Sequence, residues 1–357
     1  MGIAMTETGR PSRILVTGGA GYIGSHTVVE LQQRGHAVVI VDNLSNSRAD
    51  VVDRIADITG VRPEFHDFDL TDRAKTEAFF AATPGLDAVI HFAAYKAVGE
   101  SMRDPLAYYG NNLESLLRVL EGMRRHGPRH LVFSSSATVY GQPDELPVRE
   151  TSPVREAWSP YGSTKQMAEE ILRFSVAAYG LRAVALRYFN PVGAHESALI
   201  GELPLGVPNN LAPFITQTAA GRQECLEVFG TDYGTADGTA VRDYIHVVDL
   251  ARAHVAAVAR MTEGKTRSDL EVFNLGTGKG HSVREVIDAF ERVSGVRLNV
   301  RYAGRRPGDV EKVWADTSLA NRELGWKAER DLDDMMRSAW KWEQALSRRR
   351  NGTGAAG

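Results

Sequence analysis

The stretch SPYGSTK, residues 159–165, sets a phenol and an ammonium four positions apart, directly after a Ser-Pro pair that can open a helix. On a helix, positions i and i+4 share one face about one turn apart, so Tyr161 and Lys165 can meet the same ligand. A fixed positive charge stabilises phenolate and lowers the tyrosine pKa toward working pH, which makes such a phenol a usable base. The chemistry this suits is removal of a hydroxyl proton as hydride leaves the same carbon. Upstream, HLVFSSS (130–136) is an apolar run ending in three serines. Hydroxyls at the carboxyl end of a strand face the edge where open α/β folds bind ligands, and this puts Ser136 in reach of the reacting hydroxyl. The same tyrosine-lysine spacing also arises on any amphipathic helix with a surface aromatic, so the setting has to decide.

That setting begins at GGAGYIG (18–24), which holds G-x-G-x-x-G as Gly19, Gly21 and Gly24 and the wider G-x-x-G-x-x-G as Gly18, Gly21 and Gly24. It follows an apolar run, RILVT, and precedes a helical pattern. There, missing side chains let a pyrophosphate approach backbone N–H groups at the positive end of a helix. A tight strand-to-helix turn with no ligand would need the same glycines for backbone reasons. Asp42 lies 18 positions after Gly24, at the end of the second apolar run. A carboxylate there can accept both hydroxyls of an adenosine ribose and repels a 2′-phosphate, which predicts NAD rather than NADP, with Arg48 as the nearby opposing charge. Asp42 also suits a plain turn in VDNLSN.

The elements that must position these groups alternate along the first half of the chain. RILVTGG (13–19), AVVIVD (37–42), DAVIHFAA (87–94), HLVFSSS (130–136) and RAVALRYF (182–189) read as strands. Helical patterns fall at 25–36, near 111–126 and at about 160–179. This alternation predicts an α/β fold with a Rossmann-like, doubly wound parallel sheet, because each crossover must return the chain in the same direction. Residues 13–190 form the predicted dinucleotide-binding domain. After Asn190 the chain turns rich in Pro, Gly and Asn, which predicts a smaller, loop-rich substrate domain over 191–345. RDYIHVVDLARAHVAAVAR (242–260) reads as strand then helix and is expected to return to the first domain. SRRRNGTGAAG closes the chain, and 346–357 is expected to be a disordered tail.

Composition excludes several classes of function. Among 357 residues 43% are apolar and 24% charged, with a net charge of −3, so nothing attracts nucleic acid or anionic lipid. Cys225 is the single cysteine, which rules out an intramolecular disulfide and a thiolate metal site, and the ten histidines show no metal-ligand spacing, so no metal is predicted. No apolar run approaches the ~20 residues of a membrane span, and MGIAMTETGRPSR lacks a signal-peptide core. MGIAMT does match the short myristoylation pattern. A soluble, cytoplasmic protein is expected.

Glycine fingerprint, Asp42, serine-tipped strand and Y-x-x-x-K together resemble the extended short-chain dehydrogenase/reductase superfamily. Within it, the chain resembles the UDP-glucose (UDP-galactose) 4-epimerase family through VTGGAGYIGSHT (16–27), DNLSNS (42–47), HFAAYKAVGES (91–101), FSSSATVYG (133–141), RYFNPVGAH (187–195), GVPNNLAPFI (206–215) and DGTAVRDYIHVVDLA (237–251), from about residue 13 to 345. The resemblance implies an NAD site made by Tyr22, Ile23, Asp42, Asn43, Asn46, Ser47, Asp69, Leu70, Phe92, Ala93, Lys96, Asn111 and Phe189, with Lys165 also at the nicotinamide ribose. It implies oxidation of the sugar C4 hydroxyl by bound NAD, rotation of the 4-keto sugar and return of hydride to its other face. In that scheme Tyr161 takes and returns the proton, and Ser136 and Thr138 complete its path. Lys96, Asn190, Asn210, Phe229, Arg242, Arg306, Asp309 and Val313 would meet the UDP-sugar, the two arginines suiting its diphosphate because guanidinium forks match phosphate oxygens. A homodimer through a helix pair in the first domain is also implied.

Sugar-nucleotide dehydratases of the same superfamily carry a Thr-Asp-Glu run where this chain has Ser136-Ala137-Thr138, so the carboxylates that elimination needs are missing. Gly110 stands where many relatives carry an acidic residue. Val313 stands at a gate over the sugar that is bulky in some members, and a small gate leaves room for a 2-acetamido group. Alternatives are an epimerase of another UDP-sugar, N-acetylated hexosamine or pentose, and a nonenzymatic NAD-dependent sensor or scaffold on the same fold. Intact Ser136, Tyr161 and Lys165 favour an enzyme.

Overall fold

Short runs of branched and aliphatic side chains flanked by glycine or polar turns fold as the expected strands. Residues 11–305 and 310–353 are described by a computed structural model, so Arg306, Asp309 and the N-terminal MGIAMT pattern lie outside the described residues. In chain order the first half runs β1 (Arg13–Thr17), α1 (Tyr22–Gln33), β2 (Ala37–Asp42), α2 (Asp50–Thr59), β3 (Glu64–Asp67), α3 (Arg73–Ala82), β4 (Ala88–His91), α4 (Val98–Arg103), α5 (Pro105–His126), β5 (His130–Ser136), α6 (Pro160–Tyr179) and β6 (Arg182–Tyr188). The second half runs β7 (Asn190–Val192), α7 (Leu211–Ala219), β8 (Leu226–Phe229), β9 (Val241–His246), α8 (Val247–Thr262), β10 (Leu270–Leu275), β11 (Gly280–Ser282), α9 (Val283–Ser294), β12 (Val300–Ala303), β13 (Lys312–Val313), α10 (Ser318–Glu323) and α11 (Leu332–Thr353).

A seven-stranded parallel sheet has the order β10-β6-β5-β4-β1-β2-β3. Successive residues of one strand point to opposite faces, so Ile14 and Val16 join one core with Val28, Ile90, Leu250 and Val258, while Leu15 joins the other with Val89, Leu116, Phe133 and Leu172. The first face is covered by α1 packed on α8, the second by α3, α5 and α6. Strand order reverses between β1 and β4, which opens a crevice at their carboxyl ends. A second sheet pairs β9 with β7, β11 and β13, and a further hydrophobic cluster joins α7, α9 and α11.

Two expectations need correction. Of 242–260, expected to return to the first domain, only the helical part does so: α8 covers the first core, whereas β9 belongs to the second sheet and β10 extends the main sheet beside β6. The tail is not disordered from 346, since α11 continues to Thr353; Trp342 and Leu346 are buried with Ala194, and Arg349 donates to the Ala198 carbonyl at 2.7 Å. An apolar stripe, not the flanking arginines, decides that helix. Among the described residues no helix is long and apolar enough to cross a membrane.

Five histidines are buried among the described residues, and four of them, all but His36, are enclosed to within 3% exposure. His26 on α1 bonds the Tyr22 carbonyl, His91 bonds Thr17, His246 accepts from Val248 N and bonds Ser338, and His254 bonds the Leu250 carbonyl. Burial holds them neutral, pulling the pKa to about 3 for His26 and His91, about 2 for His246 and about 4 for His254. The unfolded chain, with imidazoles near 6.5, therefore binds more protons at acid pH, and stability falls as pH drops below 6.5 toward these folded values. Each histidine removes about 2 kcal/mol by pH 5. The urea midpoint is expected to fall steeply between pH 7 and 5; a level midpoint over that range would show that these imidazoles are not enclosed.

Candidate active site

The crevice holds a cavity of about 460 Å³. The glycine turn forms one end. Gly18 sits at φ +69°, and a Cβ on it would lie 2.8 Å from Ala93 N; a Cβ on Gly24 would lie 2.1 Å from the Gly18 carbonyl. Only glycine lets β1, α1 and the segment after β4 approach this closely. Gly21 caps α1 without a side-chain bond, and the first turn carries no acidic residue, so the positive end of the helix faces the cavity with no anion of its own. At the tip of β2, Asp42 accepts from Leu44 N and Ser47 Oγ on Oδ1 and from Ala20 N on Oδ2. Burial raises its pKa against those three bonds. Asn43 donates to Asp69, which fixes the ends of β2 and β3 together at 3.0 Å. A cleft with a glycine cradle, an uncompensated helix N-terminus and a buried carboxylate on the next strand fits a dinucleotide.

At the other end, Ser159 caps α6 by accepting from Gly162 N at 3.1 Å, Pro160 occupies its first turn, and Gly180 closes it in the left-handed region at φ 62°. These caps fix which face meets the sheet, and Tyr161 and Lys165 are both buried on it. Lys165 Nζ donates to the Ser134 carbonyl at 2.7 Å and lies 5.8 Å from the Tyr161 ring centroid. Burial pulls the ammonium down to about 8, opposed by Glu169. Ser136 Oγ accepts from Thr138 N at 3.2 Å and Thr138 Oγ1 at 3.0 Å, which leaves its own proton for the Tyr161 phenol. Burial alone pushes the phenol up to about 12, with Ser136 opposing, so the lysine does not lower it unaided and a lowered phenol needs the nicotinamide charge as well. Desolvation outweighs a cation whose hydrogen bond goes to a backbone carbonyl.

Every residue of the predicted NAD site except Phe189 lines the cavity, as do Lys96 and Asn210 of the predicted substrate set, whereas Ser136 and Thr138 do not. Phe189 is buried in a separate cluster with Val139, Tyr140, Val148 and Ala315, against which Val313 packs. Asn190, Arg242 and Val313 lie on adjacent strands of the second sheet, with Asn190 opposite Tyr244 and Val313 opposite Arg242. Arg242 donates to the Val241 carbonyl at 2.9 Å. Phe229 ends β8 opposite Ala303.

Several wall residues lie outside the predicted site set. Ser134 supplies the lysine's acceptor, and Tyr188 bonds its hydroxyl. Glu202 takes Lys96 Nζ at 3.1 Å and Asn210 Nδ2 at 2.6 Å, so one carboxylate joins two predicted ligand residues. Trp342, from the far end of the chain, lines the cavity and donates to the Glu202 carbonyl. Tyr188 and Ser134 extend the serine signal; Glu202 and Trp342 had none.

The family model described as GDP-mannose 4,6 dehydratase matches residues 15–339. UDP-glucose 4-epimerase 2 of Arabidopsis thaliana is 53% identical over 333 residues, 92% of this chain and 94% of its own length. The UDP-glucose 4-epimerase of Stenotrophomonas maltophila, solved with bound NAD and formylated UDP-arabinopyranose, superposes with a TM-score of 0.91 at 54% identity, covering 95% of this chain and 99% of that one. That of Bifidobacterium longum, in complex with NAD+ and UDP, gives 0.90 at 47% identity over 94% and 99%. The dehydratase description and the epimerase relatives meet at the serine strand, where Ser136-Ala137-Thr138 offers no carboxylate for elimination. Identity at this level over almost the whole length decides the matter, and the chain belongs to the UDP-glucose 4-epimerase family of the extended short-chain dehydrogenase/reductase superfamily.

Proposed function

We propose that this chain is an NAD-dependent isomerase that interconverts UDP-galactose and UDP-glucose at the sugar C4 position. The observation that carries the reading is the Tyr161 phenol, buried with Lys165 on the face of α6 that the Lys165–Ser134 bond holds to the serine tip of β5, beside a glycine-cradled cavity. Bound NAD supplies a reversible hydride acceptor and, when oxidised, a positive charge near the phenol. Gly18, Gly21 and Gly24 with the α1 N-terminus hold its pyrophosphate, and Asp42 its adenosine ribose. Tyr161 takes the C4 hydroxyl proton and returns it, and Ser136 with Thr138 orients that hydroxyl. Lys165 fixes the charge beside the phenol. Lys96, Asn190, Asn210, Phe229, Arg242, Arg306 and Asp309 hold the nucleotide sugar.

A second reading, an epimerase whose main substrate is a UDP-pentose, is favoured by the arabinopyranose that the Stenotrophomonas relative binds. Purified protein incubated separately with each UDP-sugar and followed by NMR separates the two, and turnover of none, even with NAD supplied, would overturn both. Tyr161→Phe removes only the hydroxyl, so activity is expected to fall by at least about 100-fold while bound NAD is retained. Loss of less than tenfold would exclude Tyr161 as the base.

The small side chain of Val313 supports acceptance of 2-acetamido sugars. Val313→Tyr is expected to abolish turnover of UDP-N-acetylglucosamine and spare UDP-galactose, and an unchanged substrate ratio would remove Val313 from the gate.

The protein acts in the cytoplasm as a homodimer through α5 and α6. Leu106 on α5 is 80% exposed and Phe174 on α6 60%, with Leu117 and Met167 exposed on the same two helices. Gly110 lies one turn from Leu106, and a Cβ there would meet nothing within 4 Å. Paired apolar helix faces of this kind favour a second copy over water. Light scattering is expected to give twice the chain mass for the wild type and the chain mass for Phe174→Glu; a monomeric wild type would sink this assembly.

A further inference from the structure

Beyond the phenol and lysine, the face of α6 that meets the sheet carries a third ionisable group. Glu169 lies one turn after Lys165 and is held from two strands. Ser135 Oγ on β5 donates to its Oε1 at 2.5 Å, and Arg187 on β6 grips it with Nε to Oε1 at 2.9 Å and Nη2 to Oε2 at 2.5 Å. Both side chains are withdrawn from solvent, Arg187 at 7% and Glu169 at 13% exposure. Arg187 is itself placed 4.8 Å from the centroid of the Tyr140 ring, whose hydroxyl donates to Asn274 on β10 at 2.6 Å. A fork held from two strands is costly to assemble, the more so because Arg187 Nη1 is buried without a partner, and its two-point grip leaves the carboxylate little freedom to drift.

The titratable groups around Lys165 come from four elements: Tyr161 and Glu169 on α6, His91 on β4, Arg187 and Tyr188 on β6, and Tyr108 on α5. Burial holds His91 and the three tyrosines neutral. Among the described residues that leaves Glu169 and Arg187 as the neighbouring charges. The ammonium's hydrogen bond goes to a neutral carbonyl, so the negative charge that opposes its desolvation comes from Glu169.

Resting on the epimerase reading, we propose that Glu169 is a positioning residue for the proton-transfer pair: fixed by Ser135 and Arg187, it is the counter-ion that keeps Lys165 charged beside Tyr161, and it locks α6 onto β5. The carboxylate touches no reacting atom and acts through the lysine alone. Arg187 has the opposite sign of effect, since it holds Glu169 in place while its own charge opposes that of Lys165.

The test is the pH profile of kcat/KM for UDP-galactose in the NAD-loaded enzyme, with an ε-13C-lysine NMR titration in which the Lys165 resonance is identified by its loss in Lys165→Arg. Glu169→Gln is expected to move the alkaline limb and the NMR midpoint to lower pH by about one unit, with KM changed less than about threefold. Glu169→Asp should leave the limb in place. Arg187→Gln should move it to higher pH, because a like charge is removed. Activity lost evenly at every pH in Glu169→Gln, the same displaced limb in Glu169→Asp, or a downward shift in Arg187→Gln would each overturn the proposal. Should Glu169→Gln fail to fold, the direction of the Arg187→Gln shift decides. A wild type that turns over no UDP-sugar would strike the epimerase reading, and the NMR midpoints would still decide the role of Glu169.

Discussion

Burying the Lys165 ammonium is the constraint around which the rest of the site is arranged. A cation taken out of water costs several kcal/mol unless its hydrogen bonds and a counter-charge are built in. Its bond to the Ser134 carbonyl ties α6 to the end of β5, and this is what brings the Tyr161 face of the helix to the serine tip. The caps at Ser159 and Gly180 set the helix limits, Thr164 on the same helix bonds Asn112 of α5, and Asn112 in turn holds the backbone of Tyr95 in the segment after β4. One face of one helix therefore fixes three neighbours: the serine strand, α5 and the cavity wall that carries Lys96.

Where a feature depends on a few consecutive residues, the sequence was enough. The glycine turn, Asp42 at a strand end and the limits of α6 follow from glycine, caps and apolar runs within a dozen positions, and the structure has them where the spacing put them. What failed depends on partners far along the chain. LEVFNL at 270–275 has the composition of a strand, but nothing local says that it pairs with β6 rather than β9. The basic tail reads as solvated until Trp342 and Leu346 find Ala194.

The Tyr161 shift depends on distant partners for a related reason. Sequence identifies the lysine four residues away, which argues for a lowered pKa, whereas the extent of enclosure is set by β5, α6 and the phenol's own neighbours together. Once the phenol is inside, desolvation is the larger effect, and the proton-transfer role has to be supported by the hydroxyls of Ser136 and Thr138 and by charge that arrives with the ligand.

The wall opposite the glycine turn raises the question of what holds it. Glu202 bonds Lys96 and Asn210 across the cavity, yet Lys96 is 47% exposed, and an ion pair that open contributes within about 1 kcal/mol. Trp342 is 4% exposed, packs on Gly201 where a Cβ would sit 2.6 Å from its ring, and donates to the Glu202 carbonyl. Removing a buried tryptophan side chain costs about 3–5 kcal/mol. Arg54 from α2 and Arg349 from α11 add bonds to the Leu199 and Ala198 carbonyls. The backbone of this wall is therefore set by the C-terminal helix, whereas Lys96 and Asn210 are tied to it only by contacts weak enough for a ligand to exchange. A rigid frame with exchangeable side chains lets an anionic substrate enter without reorganising the sheet that holds the phenol.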